Sequence, residues 1–476
     1  MAHAATLAKP ESRQPVNIKI PAFRARRSRT EFVAMGKALR DKCPRDSHAE
    51  WKPPYDRPDP VRLVEQSDQG RIPELVPIRH GRMLQSPFTF YRGAALNMAA
   101  DLAATPTNGI RVQACGDAHL VNFRGFGTPE RRVIFDIHDL DETLPAPWEW
   151  DVKRLAASFV LACRDNGLGD GCGADAARTC AQSYREHMIE YGKMRVQDVW
   201  YASLPAEDLL PTIRDKETLR RAEKRLKKER ERSALEHDFP KLAHRVGGKP
   251  MIMDNPPTIY HTRDTLTRDE YNAGVRESFA QYRESLLPSV RVLLDRFEFK
   301  DMAIKVVGVG SVGTACFVLL LTAGDKDPLF LQVKEARASV LEAYAGKSVF
   351  PNHGQRVVNG HRLMQSASDI FLGWCAGKLG WHFYIRQLRD IKLKPQVEVF
   401  NSTDMIQFGE WCGWTLARAH ARSGEPALIG GYLGSGDTFD KAIAVFSIAY
   451  ADQTERDYEL LKKAARKGEL EVVMER

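Results

Sequence analysis

The stretch VVGVGSVGTACFVLLLTAG, residues 306–324, constrains the fold more than any other part of the chain. Gly308, Gly310 and Gly313 fit the spacing G-x-G-x-x-G, which two unrelated nucleotide-binding architectures share. In one, the glycines end a strand and open a helix around a dinucleotide. In the other, they form the turn of a β-hairpin that lies over the phosphates of ATP. The residues after Gly313 separate the two. TACFVLLLTA is a β-branched, aromatic, strand-like run, without the capped helix a dinucleotide fold requires. GDKDP then turns the chain, and LFLQVKEA supplies a further strand. Alternation along that strand puts Leu329, Leu331 and Val333 on one face and Phe330, Gln332 and Lys334 on the other. A lysine on the face below a glycine hairpin is placed to hold α- and β-phosphates. The expected nucleotide-binding set is therefore Gly308, Gly310, Ser311, Gly313 and Lys334. The plainer alternative is a glycine hairpin with a solvent-facing lysine.

A second constellation lies far upstream. CGDAHLVNF places Asp117 five residues before Asn122, and VIFDIHDLDE puts Asp136 at the end of an apolar strand. Phosphoryl transfer needs a carboxylate to orient or deprotonate a hydroxyl, and oxygen ligands for a magnesium ion that bridges phosphates. Asp117 suits the first task; Asn122 and Asp136 suit the second. Asp139 and Asp141 lie beside them, and Asp139 is taken as a further metal ligand. The competing reading is an Asx-rich loop held by its own backbone bonds. His119 and His138 flank these carboxylates, but zinc is not expected without a third nitrogen or sulfur ligand at suitable spacing.

The pattern G-D-x-x-x-x-N followed by an apolar strand ending in Asp resembles the catalytic core of aminoglycoside and choline phosphotransferases, relatives of protein kinases. That group usually has histidine where Cys115 stands here. The resemblance implies that an aspartate opening the next helix, Asp151 in WEWDVKRLA, accepts backbone N–H bonds from the catalytic loop. Over almost its full length the chain is also similar to a bacterial family known only as domain of unknown function 2252. SPFTFYRGAA, CGDAHLVNF, DETLPAPWEWDVKRLAAS, GVGSVGT, LFLQVKEA, SDIFLGW and LARAHARSG carry that similarity.

In ordinary kinases the glycine loop and lysine precede the catalytic loop, whereas here Asp117 comes first. GWTLARAHARSG, residues 413–424, looks like the helix that normally runs into the catalytic loop, yet it lies near the C-terminus. The expectation is an α+β, bilobal, protein-kinase-like fold, circularly permuted in sequence. Residues 1–79 would form an N-terminal arm, partly helical or extended. Residues 80–295 would carry the catalytic and metal loops of the large lobe, 296–398 would form the small lobe, and 399–476 the helices that complete the large lobe. The usual glutamate partner of the lysine would be Glu342, with Gln355 as alternative.

Composition adds limits. A formal net charge of +8 fits anionic partners in general without choosing among them. The charge-dense stretch RDKETLRRAEKRLKKERERSALEHDF reads as a solvated helix, so nucleic acid is not an expected partner. Arg79, Arg82 and Arg92, in RHGRMLQSPFTFYRG, are candidates for holding an anionic substrate or phosphate, or for surface ion pairs. No apolar run reaches the length of a membrane span, and no secretory leader is evident at the start. The eight cysteines form no C-x-x-C pair, which fits free thiols in a reducing cytoplasm. The expected activity is ATP- and Mg²⁺-dependent phosphoryl transfer to a hydroxyl of an unidentified small-molecule or protein acceptor. Nucleotidyl transfer on the same fold and a non-catalytic nucleotide-binding regulator are the alternatives.

Overall fold

The computed structural model describes residues 27–231, 239–261, 268–306, 308–324, 327–377, 380–388 and 391–474; residues 1–26 of the expected arm lie outside them. The strands are β1 (Arg111–Ala114), β2 (Phe123–Gly127), β3 (Val133–Ile137), β4 (Leu144–Pro147), β5 (Ala243–Val246), β6 (Lys249–Ile252), β7 (Ile259–Tyr260), β8 (Glu298–Lys305), β9 (Cys316–Ala323), β10 (Asp327–Glu335), β11 (Gly373–Ala376), β12 (His382–Gln387) and β13 (Lys392–Leu393). Helices surround several separate sheets, so the chain is α+β.

The largest sheet has the order β11-β12-β10-β9-β8-β7, with every neighbouring pair antiparallel. The run after Gly313 is β9, paired with β8, the strand before the glycines. The glycine segment is thus a hairpin connection, and a strand–turn–helix arrangement is excluded. Leu329, Leu331 and Val333 of β10 pack with Tyr282, Leu286 and Leu294 on one face of this sheet. Phe330 faces the other way, against Val318, Leu320 and Ile252. Two helices, Arg268–Ser285 and Pro288–Leu294, precede β8. Pro288 opens the second, because its ring cannot donate into a continuing helix.

The helical part is built on Trp148–Asp165, Gly169–Tyr191, Ser402–Ser423 and Thr438–Arg466. The first of these is buried on nearly every side, the charged Glu149, Asp151, Lys153 and Arg154 included. Trp148 stacks on Tyr184 with ring centroids 5.4 Å apart. Such a pair adds about 0.5–1.5 kcal/mol beyond its area burial.

Three local signals set further elements. KPPYDRPDPVRL contains the start of the helix Pro60–Asp68, where Asp59 caps the N–H groups of Val61 and Arg62 and Pro60 takes the first turn. HRVGGKPMI is the hairpin β5–β6, with Gly247 and Gly248 at φ 56° and 81° as a two-residue hairpin turn demands. NFRGFG is β2, so the segment after Asn122 is a hairpin with β3. The charge-dense helix Lys216–Arg230 behaves as expected and buries only Leu226. No helix among the described residues is long and apolar enough to cross a membrane.

Candidate functional site

β1 delivers the chain to Gly116, whose φ of 82° only glycine adopts readily. A Cβ there would meet the Glu142 carbonyl oxygen at 2.5 Å. Asp151, in the first turn of the helix Trp148–Asp165, accepts the N–H groups of Cys115 at 2.5 Å and Gly116 at 2.9 Å. His420 Nε2 lies 3.0 Å from the same carboxylate, and its Nδ1 lies 2.9 Å from the Tyr184 hydroxyl. Gln113 N–H donates to the Ser423 hydroxyl at 3.0 Å, so the helix Ser402–Ser423 flanks the strand entering the loop. This is the backbone-clamping role and the adjacency expected of Asp151 and of residues 413–424.

Within the loop, Asn122 Nδ2 donates to the Asp117 carbonyl at 2.8 Å, which leaves Oδ1 as the acceptor end of that side chain. Asp117 Oδ1 accepts from Arg154 Nε at 2.8 Å and from its Nη2 at 2.5 Å. The other oxygen lies 3.9 Å from His119 Nε2. Burial raises the Asp117 carboxyl above its ordinary range, with Arg154 opposing. His119 is held well below its usual value by burial and by the guanidinium groups of Arg92 and Arg154. A neutral imidazole therefore sits beside the loop carboxylate.

Lys334 enters from the sheet. Its ammonium is 2.6 Å from Asp141 Oδ2 and 3.5 Å from Asp139 Oδ2, and the residue is only 2% exposed. Tyr384, opposite Lys334 in the β10–β12 register, donates to Asp141 Oδ1 at 2.5 Å. Burial works to raise Asp139, but Lys334 and Arg386 drive its carboxyl far below the ordinary range. Asp141 is raised by burial and by the charge of Asp139. Asp139 Oδ1 is buried with no hydrogen-bond partner. The glycine-hairpin strand and the loop–hairpin segment, 193 positions apart at the Lys334–Asp141 contact, thus meet at one locus.

Two expected assignments are corrected. Asp136 does not join Asn122 as a metal ligand: it is 0% exposed and both oxygens are engaged. Oδ1 pairs with Arg418 and accepts the Ile137 N–H, while Oδ2 accepts from Ser366 N–H and hydroxyl at 2.8 Å each. The cause is strand alternation, which turns Asp136 toward the helix Ser402–Ser423 and leaves Asp139, just past β3, in the cleft. Nor does Glu342 hold Lys334. Its Oε1 lies 3.9 Å from His353 Nδ1, and Asp141 occupies the partner position. Gln355 is in the first turn of the helix His353–Met364, where its N–H is capped by Asn352. Replacing Lys334 by Met should leave the Asp139–Asp141 pair without its cation and raise the pH at which these carboxyls ionise, as read by NMR titration.

The glycine turn is packed closely. Val309 is buried among Met83, Phe90, Tyr458 and Leu461. Arg71 Nη1 donates to the Val312 carbonyl at 2.5 Å, and Ile72 N–H to the Gly313 carbonyl at 2.7 Å. Gly313 has φ 84°, and a Cβ on it would meet Arg71 Cβ at 3.0 Å. Gly313→Ala should therefore cost roughly 1–2 kcal/mol of stability, seen as a lower denaturant midpoint. Of the three upstream arginines, Arg79 is sequestered by Asp68, Ser67 and the Gly93 carbonyl. Arg82 donates to the Gly308 carbonyl at 2.5 Å. Arg92 alone feels the charge of Asp117, together with that of Glu398, and its carbonyl lies 3.3 Å from the Cβ position of Gly310.

A family model described as an uncharacterized protein conserved in bacteria, domain of unknown function 2252, matches residues 71–464. The chain belongs to this family. In this member of family 2252 the match begins at Arg71, which holds the glycine turn, and ends inside the helix Thr438–Arg466. It therefore includes Asp117, Asn122, Asp139, Asp141, Lys334 and the helix behind them. Comparison with curated proteins found no match, and comparison with solved structures found none.

Some residues of the family 2252 site had no assigned role in the sequence reading. Arg154 falls three positions after Asp151 on one helix, a spacing that puts both on the face toward the loop. Arg386 lies two residues beyond Tyr384 and so shares its strand face with Lys334. A cleft of about 190 Å³ opens beside Arg386, between His138, Gln365 and Asp369. A second, apolar cleft of about 160 Å³ is lined by Phe135, Leu226 and Trp411 and includes none of the Asp117, Asp139 or Lys334 side chains.

Proposed function

We propose that this protein is an ATP- and magnesium-dependent phosphotransferase with a permuted, bilobal, kinase-like arrangement. The observation that carries this reading is the meeting of Lys334 with Asp139 and Asp141 beside the Asp117–Asn122 loop. Lys334 and the glycine hairpin would hold the nucleotide phosphates. The unpartnered Asp139 Oδ1 and the free oxygen of Asn122 fit a magnesium ion, which needs only one or two protein oxygens when phosphates supply others. Among the described residues no three His, Cys, Asp or Glu side chains make a ready-made metal cage. When bound, the ion would offset charge on the phosphates.

Arg154 fixes Asp117 so that its second oxygen can take a proton from an acceptor hydroxyl. The acceptor oxygen forms a new bond to the γ-phosphorus. The bond to the bridging oxygen breaks, ADP leaves with the electron pair, and the proton passes to Asp117. Because burial raises the Asp117 carboxyl, turnover should fall on the acid side at a pH above the ordinary aspartate range. A rate profile whose acid limb bends only near the ordinary aspartate value would remove Asp117 as the base.

The test uses ATP labelled separately at the α and γ positions. Movement of γ label to an acceptor supports phosphoryl transfer. Movement of α label points to nucleotidyl transfer, and magnesium-dependent binding with neither label moving points to a regulator.

A further inference from the structure

Arg92, on the helix Pro87–Gly93, makes no hydrogen bond or ion pair among the described residues. Its guanidinium carbon lies 5.8 Å from the Phe88 ring centroid, and its Nε is buried without a partner. Arg124, on β2, is similar. Its Nη2 reaches only the Val121 carbonyl at 3.2 Å, and its Nε is likewise buried and unpartnered. The two guanidinium groups are close enough to disfavour each other's charge, and both act on His119.

The nearby carboxylates are already engaged. Asp117 is held by the fork of Arg154, and Asp139 and Asp141 share Lys334. The charges of Asp117 and Glu398 act on Arg92 and that of Asp139 on Arg124, yet neither arginine has a carboxylate within ion-pair distance among the described residues. Two desolvated guanidinium groups with free N–H donors are costly unless an anion completes them. Lys334 and Arg386 lie on the sheet side with Asp139 and Asp141, where the nucleotide phosphates belong. Arg92 follows Tyr91, whose carbonyl accepts from the same Arg154 that holds Asp117, and Arg124 lies two residues past Asn122, whose amide holds the Asp117 carbonyl, so both belong to the end of the cleft where an acceptor hydroxyl must come.

Resting on the phosphotransferase reading, we infer that the acceptor is itself an anion: a hydroxyl compound bearing a phosphate or carboxylate that Arg92 and Arg124 hold beside Asp117. The arginines orient it, and Asp117 takes the proton of its hydroxyl. A cationic acceptor would meet the like charge of both guanidinium groups and is disfavoured.

The test is titration of the full chain, in the presence of Mg²⁺ and a non-hydrolysable ATP analogue, with inorganic phosphate, glycerol 3-phosphate, glycerate and glycerol. The analogue occupies the nucleotide phosphate sites, so that added anions report on the remaining one. Phosphate and at least one of the two anionic polyols should bind, and uncharged glycerol should not. Stronger binding of glycerol 3-phosphate than glycerate would assign a phosphate, and the reverse a carboxylate. In R92Q/R124Q the anion affinity should fall about tenfold or more, while Mg-ATP affinity stays within about threefold of wild type. R92K and R124K should fall between, since lysine keeps the charge but not the fork.

Equal binding of glycerol and the anions, no binding of phosphate at millimolar concentration, or loss of Mg-ATP affinity with anion affinity intact would overturn the assignment. The wild-type comparison needs no variant to fold. The two readings fail separately: anion binding without movement of γ label sinks the phosphotransferase reading alone, and γ transfer to neutral alcohols with no anion binding sinks the anionic acceptor alone.

Discussion

Replacing Asp117 by Asn should lower the rate of γ-phosphoryl transfer by roughly 10²–10⁴-fold, the usual worth of a positioned base. The asparagine keeps the size of the side chain and can still accept from Arg154, so the loop should retain its shape. Nucleotide affinity should change little, because Lys334 and the oxygens of Asn122 and Asp139 are untouched. The comparison is single-turnover transfer against calorimetric Mg-ATP binding on the same preparation. Near-normal transfer would remove Asp117 from the chemistry. Loss of transfer together with nucleotide affinity would make it part of the binding site instead.

The second large effect is structural. Arg418→Met should destabilise the fold by about 3–5 kcal/mol, because it leaves the Asp136 carboxylate uncompensated in the interior. Both side chains are 0% exposed, so water cannot take over from the lost partner. Replacing both residues, Asp136→Asn with Arg418→Met, should recover much of that loss, since the buried charge goes with its partner. Urea unfolding of the two single variants, the pair and the parent gives the coupling directly. A loss below about 1 kcal/mol in Arg418→Met would show that the pair is not what keeps this hairpin seated. Magnesium-dependent ATP binding by an Asp136→Asn protein that still folds separates this role from metal binding.

The correction at Asp136 shows why the site was only partly legible. The proximity of Asp117 and Asn122 was legible in CGDAHLVN because their contact is local to one loop. Asp151 could be read because a helix's first turn sits next to the loop it serves. Lys334 followed from period-two alternation, which also placed Leu329, Leu331 and Val333 on the opposite face. The choice between Asp136 and Asp139 depends on where β3 ends. A shift of that end by one residue reverses which carboxylate points inward. The partner of Lys334 was out of reach for another reason: Asp141 comes from a segment 193 positions away, and no local rule connects them. The hairpins β2–β3 and β5–β6 were legible in principle, through Asn-Phe-Arg-Gly-Phe-Gly alternation and the Gly247–Gly248 turn.

The helix Ser402–Ser423 closes the site from behind, and its place in the chain has a consequence during protein synthesis. Asp136 and Asp151 leave the ribosome 282 and 269 residues before Arg418 and His420, their partners. At the usual rate of about 5–20 residues per second, the longer gap is roughly 14 to 56 s. Through that time the nascent chain already contains Asp117, Asn122, Asp139 and finally Lys334, yet the base of the loop has no clamp from His420. The hairpin carrying Asp136 must also wait with a carboxylate that will be interior but has no cation. Nascent chains are therefore expected to lack a closed loop at Asp117 until the final helices emerge.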